Sequence, residues 1–286
     1  MELLNLTAIE QNVLIASIMG DGEITKIYPG SRRKNNSYRE HFSIQQLDYR
    51  IWKHNLLPSY FYFNTANTRL VSPSLPLFTE LFPYFYNIDG NKIISDEMLK
   101  LCTLPIFLTT LFLDDGSLSI TVDKNTLKKR IYLTPHIYLY LQCFSHEDLV
   151  KLQTHIFSTF LIDMRLNKRK DGFGYVLKTT KVSETLKFLQ LVYNEALDCP
   201  TMFYKTHWDF RFEKEVSRYR ETHPEYTVIA SSSDRNKNYS EEECNQIRLM
   251  KSQGFTDKAI AEKLGRSYWS IVYKWREIRV MEKFSL

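Results

Sequence analysis

Two aspartates, each at the end of an apolar run with helical spacing, are the residues best placed to do chemistry. One run reads Leu14-Ile15-Ala16-Ser17-Ile18-Met19-Gly20-Asp21-Gly22, the other Leu108-Thr109-Thr110-Leu111-Phe112-Leu113-Asp114-Asp115-Gly116. Both have a small residue near the middle, an acid as last residue and a glycine after it. The glycine is expected to take the left-handed turn that closes a helix. The acid is out of place, because a carboxylate at the negative end of a helix costs about 0.3–1 kcal/mol. The same breach in both runs calls for a shared compensating charge. Ala16 on one helix and Thr109 and Thr110 on the other would let the two backbones cross closely, which sets Asp21 beside Asp115. Two carboxylates sharing one place at neutral pH need positive charge between them. A hard divalent cation, Mg2+ or Mn2+, supplies it through oxygen ligands. The expected ligand set is Asp21 and Asp115, with the Gly20 carbonyl and Asp114 beside them.

The elements that must position these acids follow one plan twice. In the first copy a helix over residues 7–20 opens on Thr7, with Glu10 completing a capping box. Strands are expected at 23–28 and 39–47, a helix at 48–57, extended segments at 60–63 and 68–72, and a helix at 75–86. The second copy has a helix at 104–115, strands at 117–122 and 130–141, and a helix at 145–160 capped by Ser145 and Asp148. A hairpin at 165–179 and a helix at 183–197 complete it. The fold class is α+β, a pseudo-two-fold duplication of αββαββα.

Basic residues gather where the hairpins fall. Lys26, Arg32, Arg33, Lys34 and Arg39 lie in the first copy, Lys128 and Arg130 at the equivalent point of the second, and Arg165, Lys168, Arg169 and Lys178 later. Recurrence at equivalent hairpins suggests a phosphate-tracking surface. A ten-residue strand spans about 33 Å, close to one turn of duplex DNA at about 34 Å. Side chains such as Gln45, Arg33, Tyr138 and Lys178 would read the major groove.

The paired segments resemble the motifs of the LAGLIDADG homing endonucleases of the single-chain type. The doubled plan is similar to that family's αββαββα fold, a saddle of two antiparallel sheets, and the resemblance covers about residues 7–207. The second motif matches better, while Ile15 and Ser17 depart in the first. The resemblance implies a basic residue beside the metals after the last helix of each half. Lys92, in Asp89-Gly90-Asn91-Lys92, and Lys205, in Met202-Phe203-Tyr204-Lys205, occupy those places. With Asp21 and Asp115 they form the implied catalytic set. The implied activity is site-specific, metal-dependent cleavage of both strands of duplex DNA at a long asymmetric site, by a monomer, leaving short 3′ overhangs. Two other readings stay open on the same scaffold: an intron maturase with intron RNA as partner, and a DNA-binding regulator with an inactive nuclease core.

A composition shift divides the chain further. Halves are expected at 1–95 and 96–226, a linker at 227–238 and a helical unit at 239–286. In the last, Ser240 and Glu243 form a capping box, and Asp257 to Ser267 resembles the helix-turn-helix of Myb-like and resolvase-like DNA-binding modules. Its third helix would present Arg266, Ser267, Tyr268, Trp269 and Lys274 to DNA, although Trp269 fits a core position equally well.

The whole composition agrees with a globular chain of about two packed units. There are 286 residues, 43% hydrophobic and 25% charged, with a net charge of +5 that leaves the partner undecided. No apolar stretch reaches the roughly 18 residues of a membrane helix, and the first ten residues lack a signal-peptide pattern. A soluble intracellular protein is expected, with no membrane partner and no indication of compartment. Four cysteines lack ligand spacing, so neither zinc nor disulfides are expected. The 18 Tyr and 18 Phe against 9 Gly form an unusual aromatic surplus.

Overall fold

The computed structural model describes residues 2–231, 239–266 and 268–284; the side chains of residue 269 and of residues 280–284 lie outside the description, as do the expected linker residues 232–238. The chain divides into two compact units, residues 1–232 and 233–286.

Two apolar helices form the centre of the first unit. α1 (Ala8–Met19) starts from the Thr7–Glu10 capping box and is buried at every position from Asn12 to Met19. α5 (Pro105–Asp115) opens on a first-turn proline and is buried from Ile106 to Asp114. Helices that are apolar all round belong inside, and these two pack on each other with Ala16, Thr109 and Thr110 fully buried. Asn12 ties them together. Its Nδ2 donates to the Leu101 carbonyl at 3.0 Å and its Oδ1 accepts from the Leu104 amide at 3.0 Å, just ahead of α5.

Each helix leads into a sheet of the same topology. In the first half β1 (Gly22–Thr25), β2 (Ser37–His41), β3 (Tyr62–Phe63) and β4 (Arg69–Val71) pair antiparallel in the order β1-β2-β4-β3. α2 (Leu47–Leu56), α3 (Pro76–Phe85) and α4 (Asp96–Leu99) complete that half. In the second, β5 (Gly116–Asn125), β6 (Arg130–Leu139), β7 (Met164–Lys168) and β8 (Tyr175–Thr179) take the order β5-β6-β8-β7, with α6 (His146–Phe160) and α7 (Val182–Glu195). α8 (Phe203–Thr206), α9 (Trp208–Thr222) and β9 (Thr227–Ala230) follow. The duplicated αββαββα plan is therefore present. Alternation along β6 turns Ile131, Leu133, Ile137 and Leu139 toward the helices and Arg130, Tyr132, Thr134, His136 and Tyr138 to the other face.

Three expectations are corrected. Ten-residue strands occur only in the second half, at β5 and β6; those of the first half have two to five residues. Gln45 is not on a strand, because β2 stops at His41 and Ile44–Gln46 form a 3-10 turn closed by the Gln46 amide on the Ser43 carbonyl. Residues 227–230, expected in a linker, are β9, which runs parallel to β6 from Arg130↔Thr227 to Leu133↔Ala230. β8 pairs with β6 only at Tyr138 and Leu139, so the rest of that edge is open, and the β-branched run Thr227-Val228-Ile229 covers part of it.

In the second unit α10 (Glu241–Ser252), α11 (Asp257–Leu264) and α12 (Tyr268–Phe284) enclose Ile247, Met250, Ile260, Ala261, Ile271 and Ile278. Ser240 and Thr256 cap the first two helices, and Gly265, at φ 62°, closes the second. Among the described residues no helix is long and apolar enough to cross a membrane.

Candidate active site

The two acidic helix ends meet. Gly20 closes α1, its amide bonded to the Ala16 carbonyl at 2.8 Å. A Cβ on Gly20 would lie 2.5 Å from Asp114 Oδ2, and the Asp21 amide lies 3.4 Å from the same oxygen. Glycine is required at 20 by this close approach. Gly22 and Gly116 are explained likewise rather than by the expected left-handed turn. Gly116 has φ −109°, neither has a positive φ, and an added Cβ would collide with the Tyr38 ring at Gly22 and with Phe112 at Gly116.

Asp115 ends α5 with no hydrogen-bond partner for its carboxylate among the described residues. Burial, then the charges of Asp21 and Asp114, push its carboxyl up to about 7, against the pull of Lys92 and Lys205. Lys92 Nζ donates to the carbonyls of Gly20 at 2.8 Å and Gly22 at 2.7 Å, and Lys205 Nζ to the carbonyl of Leu113 at 2.7 Å. Cations thus sit at the negative ends of both helices, and burial draws both ammonium groups below the usual lysine value. Asp21, Asp115, Lys92 and Lys205 come together from four separate stretches of chain.

Asp114 and Gly20 are engaged elsewhere. The Gly20 carbonyl holds Lys92, and the buried Asp114 carboxylate takes the Tyr49 hydroxyl at 2.7 Å and Lys53 Nζ at 2.8 and 2.9 Å. Burial would raise the Asp114 carboxyl, but Lys53 and Arg50 hold it below its ordinary value.

Behind Asp21 lies a group of residues that sequence reading missed: Glu40 on β2 and Arg50 and Lys53 on α2, all three side chains fully buried. Arg50 Nη2 donates to Asp21 Oδ2 at 2.6 Å, Lys53 Nζ bridges Glu40 and Asp114, and the Tyr38 hydroxyl donates to Glu40. A signal existed, since Arg50 and Lys53 share the inward face of α2 with Tyr49 and Trp52. Carboxylate oxygens of Asp21, Glu40 and Asp114 lie within 4.8 Å of one another, but Arg50 and Lys53 already supply the positive charge there. The donors that fit an added cation are Asp21 Oδ1, without a partner among the described residues, and the two oxygens of Asp115. The Asp115 carboxyl is raised by burial first and by the charges of Asp21 and Asp114 second, and an added cation would counter both.

Residues 11–186 match the sequence profile of the LAGLIDADG DNA endonuclease family. The chain belongs to this family. No curated protein sequence matches it. Among solved structures, the homing endonuclease I-WcaI bound to its DNA recognition sequence aligns over 70% of this chain and 87% of its own, with 20% identity and a TM-score of 0.52. Meganuclease I-SmaMI bound to uncleavable DNA aligns over 75% and 94%, with 12% identity and a TM-score of 0.47.

In this LAGLIDADG protein the sheet faces turned from the helices carry polar rows next to the acids. In the first sheet cross-strand pairing aligns Glu23, Arg39, Val71 and Tyr62; in the second it aligns Ser117, Tyr138, Lys178 and Arg165. Lys178 Nζ lies 5.1 Å from the centre of the Tyr138 ring, which stacks on Tyr140. Ser119 faces His136 and Thr121 faces Thr134 on the same surface, polar positions absent from the sequence-based set. The other basic residues differ in their freedom. Arg39 is paired with Glu23, Arg169 with Asp171, and Arg33 folds back on Thr25 and Ser37. Lys26 reaches the Gly90 turn, where a Cβ would strike its Nζ. Arg32, Lys34, Gln45, Lys128, Arg130, Arg165 and Lys168 are exposed.

In the second unit Arg266 is held by Glu243, at 2.9 and 2.8 Å, over the Tyr239 ring, and Lys274 donates to Glu277 at 2.9 Å. Tyr268 is exposed, as are Tyr273 and Arg276 on the same helix. Ser267 and the Trp269 side chain lie outside the described residues.

Proposed function

We propose that the protein is a site-specific DNA endonuclease that hydrolyses one phosphodiester in each strand of a long, asymmetric duplex site. The observation that carries this reading is the meeting of two helix-end acids, each with a lysine, between two sheets that present polar faces. Both halves retain an acid and a lysine, so one chain offers a complete centre and would act as a monomer.

Divalent cations, which this family generally uses, would be held by Asp115 and Asp21 and would supply the charge needed as the 3′ oxygen leaves. The chain's own groups would do the rest. Lys92 uses two of its three donors on carbonyls and Lys205 one, which leaves N–H groups for a phosphate oxygen or an attacking water. Their ammonium groups would meet the growing negative charge of the phosphorane without reorganising. The sheet rows would align the backbone, with Tyr138, Lys178 and Arg165 reading base edges in the second half. The three-helix unit would add contacts through α12 and raise affinity by its tether; Arg266 would brace the unit against Glu243.

The test is incubation of the protein, Asp21→Asn and Asp115→Asn with duplex DNA from the intron- or intein-free allele of the host locus, with and without Mg2+. Double-strand breaks that need the ion and vanish in both variants, while DNA binding persists, support the proposal. Failure to cleave, coupled with tight binding of the intron RNA, favours the maturase.

A further inference from the structure

Arg50 occupies a place where a charge must have a purpose. Its side chain is fully buried and lies 4.6 Å from the centre of the Tyr49 ring and 5.8 Å from that of Phe42. Three carboxylates surround its guanidinium: Asp21 Oδ2 at 2.6 Å from Nη2, Glu40 Oε1 at 2.6 Å from Nε and Asp114 Oδ1 at 3.5 Å from Nη1. Only the contact to Asp21 is aligned as a hydrogen bond. Lys53 already bonds both Glu40 and Asp114, so the task that falls to Arg50 alone is to hold Asp21.

Among the described residues no buried arginine or lysine is hydrogen-bonded to the Asp115 carboxylate, Lys92 and Lys205 being bonded to main-chain carbonyls. Glu40 pairs across from Gly22 in the first half, whereas Leu139 pairs across from Gly116 in the second. Where α2 turns Arg50 and Lys53 inward, α6 turns Leu149 and Leu152 inward. Among the described residues the buried cations Arg50 and Lys53 and their partner Glu40 come from the first half, and the second half adds Asp114 to them.

We propose that Arg50 is a positioning residue for Asp21 and that it makes the two halves of the centre inequivalent. Asp21 offers a cation one oxygen, the other being fixed by the guanidinium; Asp115 offers both. The inference rests on the endonuclease reading of the same site. A guanidinium bonded to one oxygen also competes with a cation for the charge of that carboxylate. Arg50 therefore lowers cation affinity at Asp21 while it fixes the carboxylate's direction.

Arg50→Gln removes the charge, and Arg50→Lys keeps it but loses the planar fork that spans Asp21 and Glu40 together. Two readouts follow, Mn2+ binding by the DNA-free protein, from the electron paramagnetic resonance of free ion, and the ratio of nicked to linear product from a supercoiled plasmid carrying the target. Arg50→Gln should bind Mn2+ several-fold tighter and Arg50→Lys about as tightly as the unaltered protein, while both accumulate nicked circle, toward the roughly 10²-fold loss that a misplaced reacting group can cause. A residue with a merely structural role would weaken both and slow both strands alike. Arg50→Gln shown folded by circular dichroism that binds Mn2+ no tighter, or either folded variant that slows the two strands equally, overturns the proposal. If Arg50→Gln does not fold, the nicked-to-linear ratio of Arg50→Lys decides, because that variant keeps the buried charge and loses only the fork. Absence of cleavage by the unaltered protein would sink the endonuclease reading and leave the Mn2+ comparison to judge Arg50.

Discussion

Asp115 stores a pH dependence that can be measured without any substrate. Its carboxyl holds a proton up to about pH 7 in the folded protein, whereas an unfolded chain releases it near 3.9. Folding therefore takes up a proton between those values, and stability falls as pH rises through them. In EDTA the protein should be less stable at pH 8 than at pH 5, and Asp115→Asn should remove most of that slope. The gain at pH 8 is up to about 4 kcal/mol, reduced by residual solvent screening, and urea midpoints at the two pH values would check it. Gly116 provides a second measurement. Since its φ of −109° suits any residue, Gly116→Ala should destabilise only through collision with Phe112, by about 1–3 kcal/mol. Trimming the neighbour, in Gly116→Ala with Phe112→Leu, should recover part of that loss in thermal melts; a strained backbone would not respond. At this scale the meeting of the two acids was legible in the sequence because the same breach of helix electrostatics recurs twice, whereas Lys92 and Lys205 were pointed to only by the resemblance to the family. Glu40, Arg50 and Lys53 were passed over, because a charged residue on a strand or helix reads as solvent-facing until the partner that neutralises it is placed; only the apolar neighbours Tyr49 and Trp52 hinted that Arg50 and Lys53 face inward.

The helices were the most legible elements and the strand ends the least. Capping residues at Thr7, Ser145 and Ser240 fixed three helix starts, and each cap forms as its sequence implies. The strand through residue 47 failed because alternation in His41-Phe42-Ser43-Ile44-Gln45 continues past the point where the Ser43–Gln46 turn ends the ladder. β9 was hidden for a different reason: a parallel edge strand forms only where a distant partner leaves an edge open, and local sequence carries no record of that. Its contribution can be tested by truncation. A protein ending at residue 232 should melt close to the full chain's first unit, whereas one ending at 226 exposes the β6 edge at Arg130–Leu133 and should melt several degrees lower. Amide exchange along the Arg130–Leu133 segment should rise in the shorter protein alone. The aromatic surplus finds a partial account among these elements, in stacked pairs such as Tyr38–Phe61, Tyr49–Trp52 and Phe82–Tyr86 that fill the space between the first sheet and its helices.

At the scale of the whole molecule, the duplication is even in topology and uneven in size. Both sheets follow one order, yet β5 and β6 offer ten residues each while no strand of the first sheet exceeds five. Under the proposed function the longer sheet should carry more of the base reading. Single base-pair changes across the target would then cost about 1–3 kcal/mol each beneath the second half and less beneath the first, in competition binding at fixed salt. Equal sensitivity on both sides would contradict this. Removal of residues 233–286 should weaken binding at every sequence and leave the metal requirement of cleavage unchanged. The short first sheet then has a meaning for inheritance as well as for binding. If the protein is the proposed endonuclease, a target could drift at the bases the short sheet covers without escaping cleavage, so recognition would tolerate divergence on one flank while holding the other nearly fixed.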